Sequence, residues 1–576
     1  MSGTFRAVAV DFDGTLTVGG RPSAQVLDAI AGARRRGVRV LLVTGRILTE
    51  LREVFADVDA HFDAIVAENG AVIASPTGTR QLSEPVDPQI RRGLERRGHL
   101  VRSGRVLLAC RSVAGGDALS EIHRLGRDCH LVYNRAELMV VPAGTTKGTG
   151  LLVALADLGV SPHSTIGIGD AENDHALLDH CEIGVAVANA VAALKSSADI
   201  VLDEPNGEGI ADFLAGPVLD GTEQVRPRRW QLTLGTTSDG QVLTLPASQI
   251  NLLIAGASRS GKSYLTGLLA EQLIDLGYSV AVVDPEGDHT ALGQLPGAVV
   301  VGGTEPLPDI DRIGHVLTGN QRAVVIDLTQ LADRERGTYF RAAMARLEGL
   351  RAHSGVPHWL VVDEAHEQLG RDGKLGVYAP SRKGHCLVTY RPGELRREVT
   401  DNLDALVAMP KGAEDAGDPA VDALVTFTGL DRGRLADWIA GLGDTDAVLV
   451  RRDAPHHLIV FQPAGRRTSH VRHWHKYVDA DLPRERRFYF RRSPDEPTGA
   501  VAANLNGLHQ ELGRATTATI THHATRGDFS RWIDDVFQDS ILAGQFRTIE
   551  DACHAHGDPE AVRGELLSAL EARYLG

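Results

Sequence analysis

Short apolar runs, each broken at once by an aspartate, a Thr-Gly pair or a glycine-rich turn, recur along this chain. They are "FRAVAVDFDGT", "VRVLLVTGR", "STIGIGD", "INLLIAGASRSGKS", "YSVAVVDPEGD" and "HWLVVDEAHE". An uninterrupted apolar run bounded by turn residues reads as a strand buried on both faces, and such strands belong to parallel sheets covered by helices. Ligands of open α/β sheets bind outside the carboxyl ends of the strands, where these runs place their polar residues. The pattern therefore fixes an α/β class and points to two sets of phosphate chemistry, one in each half of the chain.

At 576 residues the chain is too long for one core. The proline-bearing, aperiodic stretch "GPVLDGTEQVRPRRW" marks a first boundary, giving parts at 1–215, 216–465 and 466–576. Hydrophobic content of 43% with 23% charged residues suits a water-facing globular protein. No apolar run approaches the roughly 18 residues of a bilayer span, and "MSGTFRAVAV" lacks a signal-peptide layout, so no membrane partner and a cytoplasmic place are expected. The five cysteines are scattered without CxxC pairing, as isolated thiols rather than disulfides or a zinc site. A net charge of −15 argues against nucleic acid wrapped around the outside, though not against a basic channel inside an oligomer. Only seven residues are lysine, and two of them, Lys147 and Lys262, fall inside phosphate motifs.

In the first part, the strand ending at Asp11 brings Asp11 and Asp13 together at a sheet edge. Such a pair alone is also what an acidic turn looks like, but three more strand-end or helix-mouth motifs follow. Thr44, Gly45 and Arg46 form a turn suited to a phosphate oxygen. Lys147 stands at the mouth of an amphipathic helix, where its charge adds to the helix dipole. Asp170 ends a third strand, with Asn173 and Asp174 just beyond.

These pieces, with "ENGA" and the trailing "GVAVANAVAALKSSADIVLDEPNGEGIADFL", resemble the haloacid dehalogenase superfamily of phosphatases, in the branch that inserts a cap, here at about 75–141. The resemblance implies a Rossmann-like core with a small α/β cap. It also implies that Asp11 is the nucleophile forming an aspartyl-phosphate and that Asp13 is the acid/base. Thr44, Gly45 and Lys147 would hold phosphoryl oxygens, assisted by Asn173. Mg2+ would sit on Asp11, the backbone carbonyl of Asp13 and Asp170, with Asp174 as ligand or orienter. Glu172 is an extra carboxylate and is expected to face solvent. Tyr133, Asn134 and Arg135 are candidates for substrate-specificity contacts from the cap, although a turn between two strands is the simpler reading.

In the second part, "GASRSGKS" from Gly256 to Ser263 follows an apolar strand and opens a helix. Backbone N–H groups of such a loop wrap a β-phosphate, Lys262 bridges β and γ oxygens, and Ser263 binds Mg2+. The nucleotide-binding set is Gly256, Ser258, Arg259, Ser260, Gly261, Lys262, Ser263 and Tyr264. "HWLVVDEAHEQL" then delivers Asp363 to order the metal and Glu364 to polarise water, which favours hydrolysis over transfer. Together with "DPEGD" and "SRKGHCLVTYRP", this set resembles the HerA and FtsK group of ring-forming ATPases. The resemblance implies a RecA-like α/β domain, a homo-oligomer, most readily a hexamer, with ATP between subunits and nucleic acid in a central pore. Arg382 and Arg391 become candidates for the finger that reaches a neighbour's γ-phosphate. Tyr390 departs from the glutamine that many such ATPases carry there.

The third part reads as a small, mainly helical domain. His470, His473 and His475 have ligand-like spacing without a cysteine or acidic partner in register, and "RRFYF" suits either a packed strand or a nucleic-acid contact. The expected function is a bifunctional hydrolase: a Mg2+-dependent phosphatase fused to a HerA-like ATPase, a DNA translocase or antiphage device by family analogy. Two alternatives are a polynucleotide kinase/phosphatase-like end-repair enzyme, and a first domain that senses a ligand without catalysis and gates the motor.

Overall fold

The computed structural model describes residues 5–258, 260–318, 322–370, 378–410, 418–443, 445–468, 482, 484–537, 539–556 and 558–575. Arg259, His470, His473 and His475, which carry expectations from the sequence, lie outside the described residues. Two compact units are present, Met1–Pro285 with His289–His470, and Glu286–Asp288 with Val471–Gly576.

The first unit holds two large sheets. Among the described residues, the first has the spatial order Ile200–Val201, Ile183–Ala186, Thr165–Gly169, Ala7–Val10, Arg39–Val43, Ala64–Ala67, Val72–Ser75, Gly78–Gln81. The run from Ile200 to Ala67 is parallel, and the last two strands form an antiparallel hairpin. Residues such as Val8, Val10, Leu41 and Ile168 are buried because helices cover both faces. The segment Pro217–Asp220 is helical, and its Val218 and Leu219 join this core, so the first part runs past the expected boundary at 215.

The cap is an antiparallel sheet ordered Arg102–Ser103, Leu108–Arg111, Glu137–Pro142, Cys129–Asn134, with helices Pro88–Arg96 and Gly115–Leu125. It begins later than the expected residue 75, because Gly78–Gln81 turns back to pair with Val72–Ser75 of the core sheet. The helix Pro88–Arg96 was not legible from periodicity, since its buried side is only Ile90, Gly93 and Leu94. It is set instead by Asp87, whose carboxylate accepts the Gln89 N–H at 2.9 Å, and by proline in the first turn.

The second sheet has the order Val242–Pro246, Gln231–Thr237, Ala454–Pro463, Ala447–Arg451, Ala405–Met409, Asn251–Gly256, His385–Thr389, Trp359–Val362, Val280–Asp284, Ala323–Asp327, Ala298–Gly302. From Ala405 to Gly302 the strands are parallel. The strand His385–Thr389 separates the one that leads into the glycine-rich loop from the one that ends before Asp363. Residues past the expected boundary at 466 still belong here: Arg466 Nε donates to Glu271 at 2.8 Å, and the Thr468 N–H donates to the same carboxylate at 3.0 Å.

In the second unit a hairpin of Phe488–Ser493 and Glu496–Ala502 packs with helices including Leu505–Arg514, Ser540–His556 and Pro559–Leu570. "RRFYF" is thus a strand with Phe488 and Phe490 inward and Tyr489 outward. Among the described residues, no helix is long and apolar enough to cross a membrane.

Candidate active site

Asp11 closes the strand Ala7–Val10, and its N–H donates to the carbonyl of Ile168 at 2.9 Å, which ties the carboxyl ends of the two central strands together. Lys147 opens the helix Lys147–Asp157, whose cap Thr146 accepts the Thr149 N–H and sets the chain's entry angle. Gly70 lets this helix approach: its φ is +103°, and a Cβ there would stand 1.9 Å from the carbonyl oxygen of Thr146. As a result Lys147 Nζ lies 2.6 Å from Asp11 Oδ1 and 2.6 Å from Asp174 Oδ1. The second oxygen of Asp174 accepts the N–H groups of Asp170 and Ala171 at 2.9 and 3.0 Å. Asp170 accepts from Thr15 Oγ1 at 3.2 Å and from Arg135 at 2.5 Å.

Asp11, Asp170 and Asp174 are all buried, and one oxygen from each lies within 4.8 Å of the others. Burial, with Asp174 and Asp170 adding to it against Lys147, pushes Asp11 up to about 8. Burial and the neighbouring Asp174, opposed by Arg135, push Asp170 up to about 6. Lys147 is itself penalised by burial, yet Asp11 and Asp174 hold it above its ordinary value. Negative charge therefore exceeds what Lys147 and Arg135 balance, and oxygen-only donors in this state fit a hard divalent cation such as Mg2+.

Asp13 is gripped by Arg46, whose Nε and Nη2 donate to its two oxygens at 2.6 Å each. Thr44 Oγ1 accepts the Arg46 N–H at 3.1 Å and shapes that turn. Gly45 faces Met139 and Asn173. Asn173 donates to Asn69 at 3.4 Å, and its Oδ1 is buried without a hydrogen-bond partner. Glu172 is exposed, as expected. A cavity of about 390 Å3 opens above Asp11 and Asp13, lined also by Thr44, Arg46, Arg102 and Arg135. Arg135, read from sequence as a turn residue, does occupy a turn at φ +54°, but its guanidinium reaches down to Asp170. Arg102 enters from the cap and is braced by Glu50 at 2.8 Å and by Glu137. The cap is fixed to the core by Glu68, fully buried at φ +54°, whose carboxylate accepts the N–H groups of Arg105, Val106 and Leu107. Its sequence signal was the "ENGA" stretch, which gave no hint of what the carboxylate holds.

In the second sheet the loop from Gly256 turns at Gly261, with φ +98°, into the helix Lys262–Asp275. Lys262 Nζ donates to the carbonyl of Ala257 at 2.9 Å and lies 6.0 Å from the Tyr390 ring centre. Ser258, Ser260 and Ser263 lie along the same loop and helix start. Asp363 accepts the Glu364 N–H at 2.9 Å and pairs with His289 at 3.1 Å. Burial would raise Asp363, but the His289 contact outweighs it and holds the carboxyl below its ordinary value. Glu364 sits at φ +45°, 3.5 Å from His366. Arg391 is exposed beside Tyr390, 5.0 Å from the ring centre.

Two further candidates have partners within the chain. The Tyr264 hydroxyl donates to the carbonyl of Ala464 at 3.1 Å and accepts the Arg466 N–H at 2.9 Å, so the side chain anchors the end of the sheet. Arg382 stands before the strand His385–Thr389, at the amino edge of the sheet, and donates to the Glu348 carboxylate at 3.0 Å and its carbonyl at 2.7 Å.

Residues 8–90 and 131–214 match the family model of haloacid dehalogenase-like hydrolases. A phosphoglycolate phosphatase of Methanopyrus kandleri is 32% identical over 231 residues, covering 36% of this chain and 94% of that protein. One from Methanothermobacter thermautotrophicus is 29% identical over 214 residues, covering 36% and 96%. A solved haloacid dehalogenase-like hydrolase from Bacteroides thetaiotaomicron is 19% identical, covering 37% of this chain and 98% of its own, with a TM-score of 0.33. Through its first part, the chain belongs to the haloacid dehalogenase-like hydrolases.

Proposed function

We propose that the first part is a Mg2+-dependent phosphatase of small, anionic phosphate monoesters. The observation that carries this is Lys147 held at 2.6 Å from both Asp11 and Asp174, with Asp11 itself lining a cavity of about 390 Å3. Asp11, at the strand end, attacks phosphorus. Asp13 donates its proton to the departing alkoxide, leaving an aspartyl-phosphate, and then takes a proton from the water that attacks it. Orthophosphate and the free Asp11 carboxylate result. For this, Asp13 must leave the fork of Arg46, which positions it between turnovers. Lys147, Thr44 and the Gly45 turn hold phosphoryl oxygens, with Asn173 beside them. Asp11, the Asp13 carbonyl and Asp170 would hold Mg2+, which offsets phosphoryl charge when bound. Asp174, with both oxygens already accepting, orients Lys147 and the 170–171 backbone.

Arg46, Arg102 and Arg135 around the cavity favour a substrate bearing a second anionic group. The relatives named phosphoglycolate phosphatases support a phosphorylated carboxylic acid. Phosphate release from phosphoglycolate should exceed that from neutral sugar phosphates by at least about 10-fold in kcat/KM, one charged hydrogen bond's worth. A flat profile removes the anionic-substrate reading. Absence of hydrolysis across the panel removes the phosphatase.

For the second part we infer a HerA-like, ring-forming ATPase, with nucleic-acid processing or antiphage defence as its setting. One intervening strand holds the loop strand and the Asp363 strand about 10 Å apart, which leaves room for a γ-phosphate and water between Lys262 and Glu364. ATP-dependent assembly into a hexamer, read as native mass, is the test, and a monomer with and without ATP overturns it. Transfer of the γ-phosphate to a 5′-hydroxyl end would favour the kinase alternative instead. A first part that binds phosphate esters without cleaving them would favour the sensor.

A further inference from the structure

A second, smaller cavity of about 30 Å3 lies where the two large sheets of the first unit meet. Its lining residues Arg6, Gln249, His358 and Lys383 stand just before the strands that begin at Ala7, Asn251, Trp359 and His385. The cavity is therefore at the amino edge of both sheets, away from the Asp11 and Lys262 loops. Arg6, Arg351, Arg382 and Lys383 all line it, and no carboxylate does among the described residues.

Of the nearby carboxylates, Glu182 lies behind His163, Ser248 and Tyr278 of the lining, pairing with His163 at 2.7 Å and accepting from Tyr278 at 2.9 Å, and the other two lie behind the cations. Glu348 serves both Arg351, at 3.4 Å, and Arg382, at 3.0 Å, while Asp404 takes Lys383 at 2.8 Å. Arg382 reaches Glu348 through Nη1 alone, and the described residues offer its Nε and Nη2 no partner. Burial and then the charges of Arg382 and Arg351 depress the Arg6 guanidinium to about 10, the mark of like charges crowded without enough anion.

Gln249 makes an independent observation. Its side chain lines the cavity, the residue is only 5% exposed, and its Nε2 is buried with no hydrogen-bond partner. Its backbone is left-handed at φ +61°, a strained conformation for a residue with a side chain. A buried amide donor left unpaired adds a desolvation cost. An acceptor in the cavity removes that second cost.

We propose that this seam binds a tetrahedral oxyanion of the orthophosphate or sulfate kind, with Gln249 Nε2 and Arg382 as direct donors and Arg6, Arg351 and Lys383 supplying the field. The volume is small, since one water needs roughly 10–15 Å3, and it suits the head of one compact anion. Orthophosphate is the favoured occupant because the proposed ester cleavage releases it. That choice rests on the phosphatase reading, whereas the oxyanion site does not.

Crystals of the full chain soaked in selenate should give an anomalous peak within hydrogen-bonding distance of Gln249 Nε2 and Arg382. Calorimetric titration with orthophosphate, and separately with sulfate, should lose at least about 10-fold in affinity for the seam in Gln249→Leu and in Arg382→Met. Ester hydrolysis by Gln249→Leu should keep its kcat/KM. A selenate peak found only beside Asp11 and Lys147, or titrations of both variants that overlay the parent's, would overturn the proposal. A seam peak in a protein that cleaves no ester keeps the oxyanion site and discards the phosphatase reading.

Discussion

The two carboxyl edges of the first unit are built from the same elements, a buried strand, a polar turn and a helix mouth, yet their lysines are held differently. Lys147 is locked between two carboxylates, one of which, Asp11, lines the same cavity as Asp13, Thr44 and Arg46. Lys262 rests on its own loop carbonyl under Tyr390, and Arg382 is tied to Glu348 at the far edge. The first site is complete within one chain. The second, on the proposed reading, is completed by a neighbour and a nucleotide.

The sharpest break of this contrast is Asp11→Asn. It should remove ester cleavage by at least about 10^4-fold, as loss of a nucleophile does, and chelation of divalent cations should do the same. ATP hydrolysis measured on the same sample should be unchanged, and a joint loss would mean that the two edges are one machine. Glu364→Gln is the mirror experiment. ATP hydrolysis should fall by about 10^2–10^4-fold while nucleotide binding and ester cleavage persist. Persistent ATP turnover would remove Glu364 from its role.

Gly70→Ala should act more mildly and on the first edge alone. The added Cβ meets the Thr146 carbonyl at 1.9 Å on a backbone at φ +103°, so the Lys147 helix must shift. We expect a loss of about 1–3 kcal/mol in denaturant unfolding, with ester cleavage reduced more than ATP hydrolysis. Equal reductions would show that the strain spreads through both sheets.

The smallest effect concerns pH and the second sheet. Burial, then Arg351, pushes His385 from 6.5 down to about 4. The folded protein thus keeps this ring neutral where the unfolded chain would take up a proton. Its contribution to stability is present in full above about 6.5 and is lost as pH falls from there toward about 4. Urea unfolding at a series of pH values should show this decline, with a shallower slope in His385→Gln. An identical slope in the variant would assign the decline elsewhere.

Much of this was legible because short apolar runs and their terminating residues are local signals. Asp11, Thr44, Lys147, Asp170 and Asp174 each stand at an element end that the sequence announces, and the fold only had to gather them. What escaped detection depends on contacts remote in sequence. Arg135 was weighed as a specificity contact and read more simply as a turn residue, because nothing near it says that the cap folds its tip onto Asp170. Arg46 was visible as part of a turn, but its grip on Asp13 spans 33 residues. Tyr264 sat in a motif whose spacing was right, and only the return of the chain at 464–466 claims its hydroxyl. Gln249 carried no sequence signal, since an unpaired amide is a property of the packed structure alone.

The Glu68 carboxylate, holding three successive amides of the cap, has a mechanical consequence. Lifting the cap straight off would strand that group and its three donors in a dry crevice, at about 1–3 kcal/mol for each unmatched partner. A swing about that point keeps all three. The cap thus keeps this anchor only if it turns about it, and the ties from Arg135 to Asp170 and from Arg102 to Glu50 are the ones that such a turn would part.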